Sequence, residues 1–205
     1  MFSDEVSVEK SKDPNPVWVF RHRNRYEKYL PQNVIPQTKN RGVSLMLWGC
    51  FISTIKGPLV TIHGRATAFS YVNLLQVNLI PFMNALSDQG ITGAVFQQDN
   101  APIHKAHYTQ EWFEQQTFEI MEWPANSPDM NLIEHIWSAL KKELFHHFPD
   151  IANLPGALAT VQCILEEQFQ LIWRDIGVDL LKRLVQSMLA RVDALIEADG
   201  WYTRY

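Results

Sequence analysis

Three acidic residues in well-separated parts of the sequence have neighbours that suit metal binding. Asp99 follows the apolar residues 94–96 after two glutamines, and Glu134 lies in a predicted helix after a gap of 34 residues, 100–133. Asp4 stands in the opening stretch FSDE. Carboxylates at the boundary of a core repel one another unless a cation lies between them. Since magnesium usually takes one or two carboxylates per ion, three acids could share two ions, which suits in-line phosphoryl transfer.

Spacing alone leaves a plainer interpretation open for these acids. The chain has 22 acidic residues, so many sets of three could be chosen. Asp99 would then be a helix N-cap, and Glu134 would belong to a solvated helix face. A zinc pair of His104 and His107 is a further option, but the sequence supplies no third ligand at a suitable spacing.

A basic segment interrupts an otherwise acidic chain. The formal net charge of −4 does not by itself indicate a nucleic-acid partner. Against the single Glu27, the segment carries Arg21, Arg23, Arg25, Lys28, Lys39 and Arg41. Pro31 and Pro36 break this stretch, which predicts an irregular basic arm over residues 21–41. The arm could contact DNA phosphates, or it could be a solvated hairpin face.

Length and composition favour a packed, soluble protein. A chain of 205 residues with 46% hydrophobic content forms one large domain or two small ones. It has no run of 18 apolar residues and no signal segment, so we expect a soluble intracellular protein without a membrane partner. Cys50 and Cys163 lie in apolar surroundings without metal-ligand spacing, which predicts buried free thiols.

Hydrophobic periodicity predicts the elements that carry the acids. Strands are predicted over residues 2–8, 43–51, 59–62, 93–97 and 118–122. Helices are predicted over residues 67–86, with a distortion at Pro81, and over 106–115. Ser127 and Pro128 predict the start of a helix that reaches about residue 146, and two more helices follow Pro149.

This order of strands and helices predicts an α/β fold, a mixed sheet flanked by helices with two extra C-terminal helices. We expect residues 1–148 to form the core, including the basic arm, and residues 149–205 to form helices that pack on it.

The sequence around the acids resembles the catalytic motifs of mariner-superfamily transposases. The stretch QDNAPIH contains Asp99, the stretch WPANSPDMNLIEHIW contains Glu134, and a gap of 34 residues is typical of one large branch of the superfamily. FSDE resembles the first acidic motif, and residues 187–205 resemble the usual carboxyl terminus. The resemblance therefore covers nearly the whole chain.

The resemblance implies a ribonuclease H-like fold and a DDE transposase that cuts and rejoins DNA. Asp4, Asp99 and Glu134 would be the catalytic ligands of two Mg²⁺ or Mn²⁺ ions. His104 and the basic arm would contact nucleic acid. The partners would be double-stranded DNA, at transposon ends and TA target sites, and a second copy in a homodimer. The implied location is the nucleus.

The sequence departs from the family pattern at two points. Leu132 replaces a proline, which should cost little because leucine is a good helix former. The family's N-terminal helix-turn-helix region has no counterpart in this sequence, so we expect a truncated transposase with a shortened first strand and a frayed Asp4. A non-catalytic domesticated DNA- or protein-binding module is the alternative, and a nuclease acting on RNA–DNA hybrids is a third interpretation.

Overall fold

Three antiparallel strands form the regular part of the sheet in the computed structural model, which describes residues 1–9, 44–124, 127–148, 157–201 and 203. β1 (Phe2–Glu9) pairs with β2 (Ser44–Ile52), and β2 pairs with β3 (Ile55–Ile62). The expectation that Asp4 is frayed is wrong, because Asp4 lies inside β1 and pairs with Gly49 of β2. The basic arm lies outside the described residues.

Single parallel bridges extend this sheet beyond β1. Phe2 pairs with Gln97, and Phe96 pairs with Ile120. The strands predicted over 93–97 and 118–122 are therefore reduced to bridges. Main-chain hydrogen bonds gather around Phe96, whose N–H donates to Glu119 and whose carbonyl accepts from Met121. With both pairing directions present, the prediction of a mixed sheet is confirmed.

Six α-helices are described, and a π-helical turn over Leu75–Leu79 joins the first two. They are α1 (Ala68–Leu74), α2 (Ile80–Asp88), α3 (His107–Glu114), α4 (Ile133–His147), α5 (Leu158–Asp175) and α6 (Val178–Glu197). Thr67 and Ser70 form a reciprocal capping box at the start of α1. The distortion predicted at Pro81 is present as the π-helical turn, because proline cannot continue the regular hydrogen bonding.

The predicted start of the fourth helix is wrong by five residues. Pro128–Met130 form a 3₁₀ turn, and α4 begins at Ile133. Ser127 and Pro128 start only this 3₁₀ turn, in which the N–H of Met130 donates to the carbonyl of Ser127. Between the turn and α4, the side chain of Asn131 donates to the carbonyl of Ser3 in β1. Glu134 consequently lies in the first turn of α4 and not two turns inside it.

Two cores lie on opposite faces of the sheet. Alternate residues of β2 supply them, Leu45 and Leu47 to one core and Trp48 and Cys50 to the other. The first core contains the buried faces of α4, α5 and α6, and the second contains those of α1 and α3. The prediction for the cysteines holds for Cys50 and is wrong for Cys163, which is exposed on α5. None of the described helices is long and apolar enough to cross a membrane.

Candidate active site

Asp4 is held by the main-chain pairing of β1 with β2. Its partner in β2 is Gly49, and the Cβ that any other residue would carry there would lie 2.7 Å from the indole of Trp137. The glycine thus allows α4, which carries Trp137, to approach the strand pair that carries Asp4. This close packing brings the first turn of α4 near Asp4.

The carboxyl group of Asp4 is in an environment that disfavours its charge. Burial, and then the negative charges of Glu134, Glu5 and Asp99, raise the pKa of Asp4 to about 8. Its Oδ1 accepts a hydrogen bond from the N–H of Glu5 at 2.8 Å, which compensates only in part. Four carboxylates therefore influence one another across the ends of β1, the Asp99 loop and α4.

Asp99 has the opposite electrostatic environment. Its Oδ1 lies 2.7 Å from Nδ1 of His104 and accepts the N–H of Ala101 at 2.9 Å. The hydrogen bond from His104 is the main reason that the pKa of Asp99 is below its ordinary value. Both of these bonds go to Oδ1, and neither uses Oδ2. The Asp99 side chain is 47% exposed.

His104 connects Asp99 to Glu5. Its Nε2 lies 3.3 Å from Oε1 of Glu5, and its ring packs against Tyr71 with centroids 4.3 Å apart. Burial lowers the pKa of His104, but the hydrogen bonds and charges of Asp99 and Glu5 outweigh burial and raise it to about 9. The side chain is 2% exposed and offers almost no surface to DNA in this conformation. Its nucleic-acid contact stays a prediction, and the contacts described favour a role in positioning Asp99.

Glu134 is exposed at the amino-terminal end of α4. Negative charge is favoured there by the free N–H groups of a helix start. Leu132, the N-cap, makes no side-chain capping bond. The start of the helix is held by neighbours instead, since Nδ2 of Asn131 donates to the carbonyl of Ser3 at 3.3 Å.

Ser3 joins the three segments that carry the acids. Its Oγ donates to the carbonyl of Gln97 at 2.6 Å, and its N–H donates to Oε1 of Gln97 at 3.2 Å. Its carbonyl accepts the bond from Asn131. Ser3 precedes Asp4, Gln97 lies two residues before Asp99, and Asn131 lies three residues before Glu134. No sequence pattern marks this set, because its members are polar residues whose partners are far away in the sequence.

Arg191 on α6 is a second feature that the sequence did not reveal. Its side chain is buried, and its Nη1 and Nη2 groups reach the carbonyl of Asp129 at 2.5 Å and Nε2 of His135 at 2.8 Å. Burial and the positive charge of Arg191 lower the pKa of His135. His135 is therefore neutral, with Nε2 as the acceptor of the arginine hydrogen bond.

The donor set suits a hard divalent cation, although the side chains are not gathered at ligand distances. Among the described residues, no group of three or more His, Cys, Asp or Glu side chains is arranged to hold a metal ion. The mutual effect of Asp4, Glu134 and Asp99 nevertheless places their charges in one neighbourhood. Carboxylate oxygens are the ligands that Mg²⁺ and Mn²⁺ prefer. Binding would require side-chain rotations that bring these carboxylates together.

The zinc pair of His104 and His107 finds no support in the geometry. His104 is buried between Asp99 and Glu5, whereas His107 is exposed and lies 3.1 Å from Glu111 on its own helix. The two histidines thus face different surroundings.

A cleft of about 490 Å³ opens beside Asp99. Its lining includes Asp99, Asn100, Lys105, Gln110 and Trp123. A cation, an aromatic face and amide groups are the side chains that bind the phosphates and bases of a nucleic-acid strand. The cleft therefore combines side chains suited to a nucleic-acid strand with one of the three acids.

The sequence and this geometry have counterparts in known proteins. Residues 1–155 match the DDE superfamily endonuclease family. The whole chain is 33% identical to the Tc1 transposase of Caenorhabditis elegans, of which it covers 70%. The chain belongs to the DDE superfamily of endonucleases, as a transposase catalytic domain. It is 34% identical to the Tcb1 transposase of Caenorhabditis briggsae, with the same coverage.

Solved structures agree on the fold of this transposase domain. The Mos1 transposase catalytic domain, solved with raltegravir and Mg, superposes with a TM-score of 0.62 and 17% identity. The match covers 78% of each chain. The predicted ribonuclease H-like α/β fold is thereby confirmed.

Proposed function

We propose that Asp4, Asp99 and Glu134 are the catalytic residues of this transposase and together bind two Mg²⁺ or Mn²⁺ ions. The observation that carries the proposal is the set of hydrogen bonds at Ser3, which ties the three acid-bearing segments to one point. Structures of the Mos1 catalytic domain with Mg and with Mn support the choice of metals. Bound there, the ions would activate the attacking oxygen and stabilise the leaving oxygen of a DNA phosphodiester.

The protein's own residues would prepare this site. The Nδ1–H group of His104 holds Asp99 ionised through Oδ1, which leaves Oδ2 for an ion. Glu5 holds the other ring nitrogen and so fixes the orientation of the imidazole. Glu134 would come from the first turn of α4, and Asp4 would ionise when a cation replaces its proton.

The substrate in this proposal is double-stranded DNA. Mos1 structures with paired transposon ends and with a strand-transfer complex support DNA as the partner and a dimer as the working form. We place transposon ends and TA target sites beside the Asp99 cleft, and we assign the basic arm, Arg21 to Arg41, to phosphate contacts. The corresponding location is the nucleus.

Nicking of supercoiled DNA in the presence of Mg²⁺ or Mn²⁺ tests the site. Asp99→Asn and Glu134→Gln should each reduce the nicking rate by at least about 100-fold, the upper end of losses seen when even outer-shell groups are removed from metal sites. Glu114→Gln is the matched control, since Glu114 is an exposed acid on α3. Undiminished nicking by either site variant would refute the assignment. DNA binding without metal-dependent nicking by the unmodified chain would favour the non-catalytic module.

A further inference from the structure

Arg191 reaches from the C-terminal helix to the segment that carries Glu134. It is 4% exposed, and its guanidinium bonds both sides of that segment, the carbonyl of Asp129 before Glu134 and the ring of His135 after it. Its Nε bonds Oγ of Ser187 at 3.0 Å, one turn earlier on α6. The side chain is therefore fixed at its own helix as well as at its target.

The segment it contacts needs such support. Asp129 lies in the 3₁₀ turn before α4, and α4 begins at a leucine N-cap without a side-chain capping bond. On one side, the start of α4 is tied to β1 by the hydrogen bond between Asn131 and Ser3. Arg191 supplies the tie on the other side, from α6. A planar guanidinium with several N–H groups in fixed directions can hold two acceptors at once, which a lysine ammonium does less well.

We propose that Arg191 is a positioning residue for catalysis, which fixes the first turn of α4 so that Glu134 faces Asp4. The inference rests on the proposed role of Glu134 as a metal ligand. Arg191 lies beyond residues 1–155, the part of the chain that matches the endonuclease family, so α6 becomes part of the working site. The C-terminal helices would then have a catalytic purpose in addition to covering the core.

The experiment compares Arg191→Met and Arg191→Lys with Arg183→Met, a change at an exposed arginine on the same helix. Metal binding is measured without catalysis, from the Mg²⁺ or Mn²⁺ concentration that gives half of the metal-induced rise in melting midpoint. Arg191→Met should raise that concentration about 10- to 100-fold, the range for losing an outer-shell partner. The metal concentration for half-maximal nicking should rise in parallel, while the KM for plasmid DNA stays unchanged.

Two further results distinguish positioning from general stability. Arg191→Lys should recover only part of the metal affinity, because it keeps the charge but not the two-sided geometry. If Arg191→Met does not fold, His135→Phe tests the same link by removing the acceptor, and His135→Gln, which retains an acceptor, is its control. We expect His135→Phe to weaken metal binding and His135→Gln to approach the unmodified chain.

The outcomes separate this inference from the assignment of the acids. If Glu134→Gln weakens metal binding while Arg191→Met and His135→Phe match their controls, the role of Arg191 is overturned and that of Glu134 stands. If Glu134→Gln leaves metal binding unchanged, the ligand assignment fails and the inference fails with it.

Discussion

Asp4 and Asp99 are held in place by different kinds of interactions. Asp4 lies inside β1, which pairs with β2 along its whole length. Asp99 follows single bridges at Phe96 and Gln97, and side-chain contacts with His104 hold its carboxylate. One acid is thus fixed by its main chain and the other by its side chain.

The charges follow the same division. Burial and neighbouring carboxylates raise the pKa of Asp4, whereas His104 lowers that of Asp99. The pairing of β1 with β2 fixes the position of Asp4 through main-chain groups, and it brings no positive charge near the carboxylate. The loop that carries Asp99 brings His104 beside that carboxylate. The environment that disfavours negative charge is therefore concentrated at Asp4, which is where a cation would change stability most.

The largest expected effect of this difference is on the pH dependence of the metal-free protein. The pKa of Asp4 is about 8 against an ordinary 3.8, and that of His104 is about 9 against 6.5. Both groups hold more protons when folded, so the free energy of unfolding should fall as pH rises from about 4 to about 9. One pKa unit corresponds to about 1.4 kcal/mol, and 1 kcal/mol to about 2–4 °C in a chain of this size. The melting midpoint should therefore drop by more than about 5 °C.

Thermal melts in the presence of a chelator measure this profile. Asp4→Asn is the control, because it removes the titration of Asp4 and should flatten the fall between about pH 4 and 8. Mg²⁺ should restore stability mainly at the alkaline end, where it no longer competes with the proton on Asp4. A flat profile for the unmodified chain would contradict the electrostatics described for Asp4.

Replacing Asp4 and replacing Asp99 with asparagine should change the stability of the protein in opposite directions. At about pH 7 without metal, Asp4→Asn should stabilise the chain by more than about 1.4 kcal/mol, the equivalent of one pKa unit, because it removes a poorly tolerated ionisable group. Asp99→Asn should destabilise it by about 1.5 kcal/mol, since His104 then loses a charged partner. This value is at the low end of the range for charged hydrogen bonds because Asp99 is half exposed.

Both variants should nevertheless lose metal-dependent nicking. The comparison therefore separates stability from catalysis, since the same change in side chain moves the melting midpoint in opposite directions. Shifts of equal sign in urea or thermal unfolding would mean that the two regions do not differ in the way described.

Sequence patterns mark Asp99 and Glu134 as candidate residues, whereas no pattern marks the contacts that hold the candidate acids. The gap between Asp99 and Glu134 and the alternation in β2 are local patterns, and both can be recognised without a structure. Ser3 and Gln97 are 94 residues apart, and Asp129 and Arg191 are 62 apart. No periodicity marks such pairs. The start of α4 was misplaced because the local capping signals of Ser127 and Pro128 open only the 3₁₀ turn of Pro128–Met130.

The smallest expected effect is at Ser3, where the two regions meet. Ser3→Ala removes the bond from Oγ to the carbonyl of Gln97 and leaves the main-chain bonds of Ser3 in place. A typical hydrogen bond contributes about 1 kcal/mol, so we expect a loss of that size in the free energy of unfolding. Ser7→Ala is the matched control on the same strand, because Ser7 is exposed and its hydroxyl meets that of Ser44. It should change stability by less than about 0.5 kcal/mol.

Ser3→Ala and Ser7→Ala should also differ in the Mg²⁺ concentration that they need for nicking. If Ser3 sets the distance between the strand of Asp4 and the loop of Asp99, its loss should raise the Mg²⁺ concentration for half-maximal nicking several-fold, towards the 10-fold lower limit for outer-shell changes. Ser7→Ala should leave that concentration unchanged. Since the ladder between β1 and β2 is intact in both variants, a difference between them reports on the junction with the loop. Equal metal requirements would mean that the bridge between Phe2 and Gln97 suffices to hold Asp99 in place, and that the hydroxyl of Ser3 contributes only to stability.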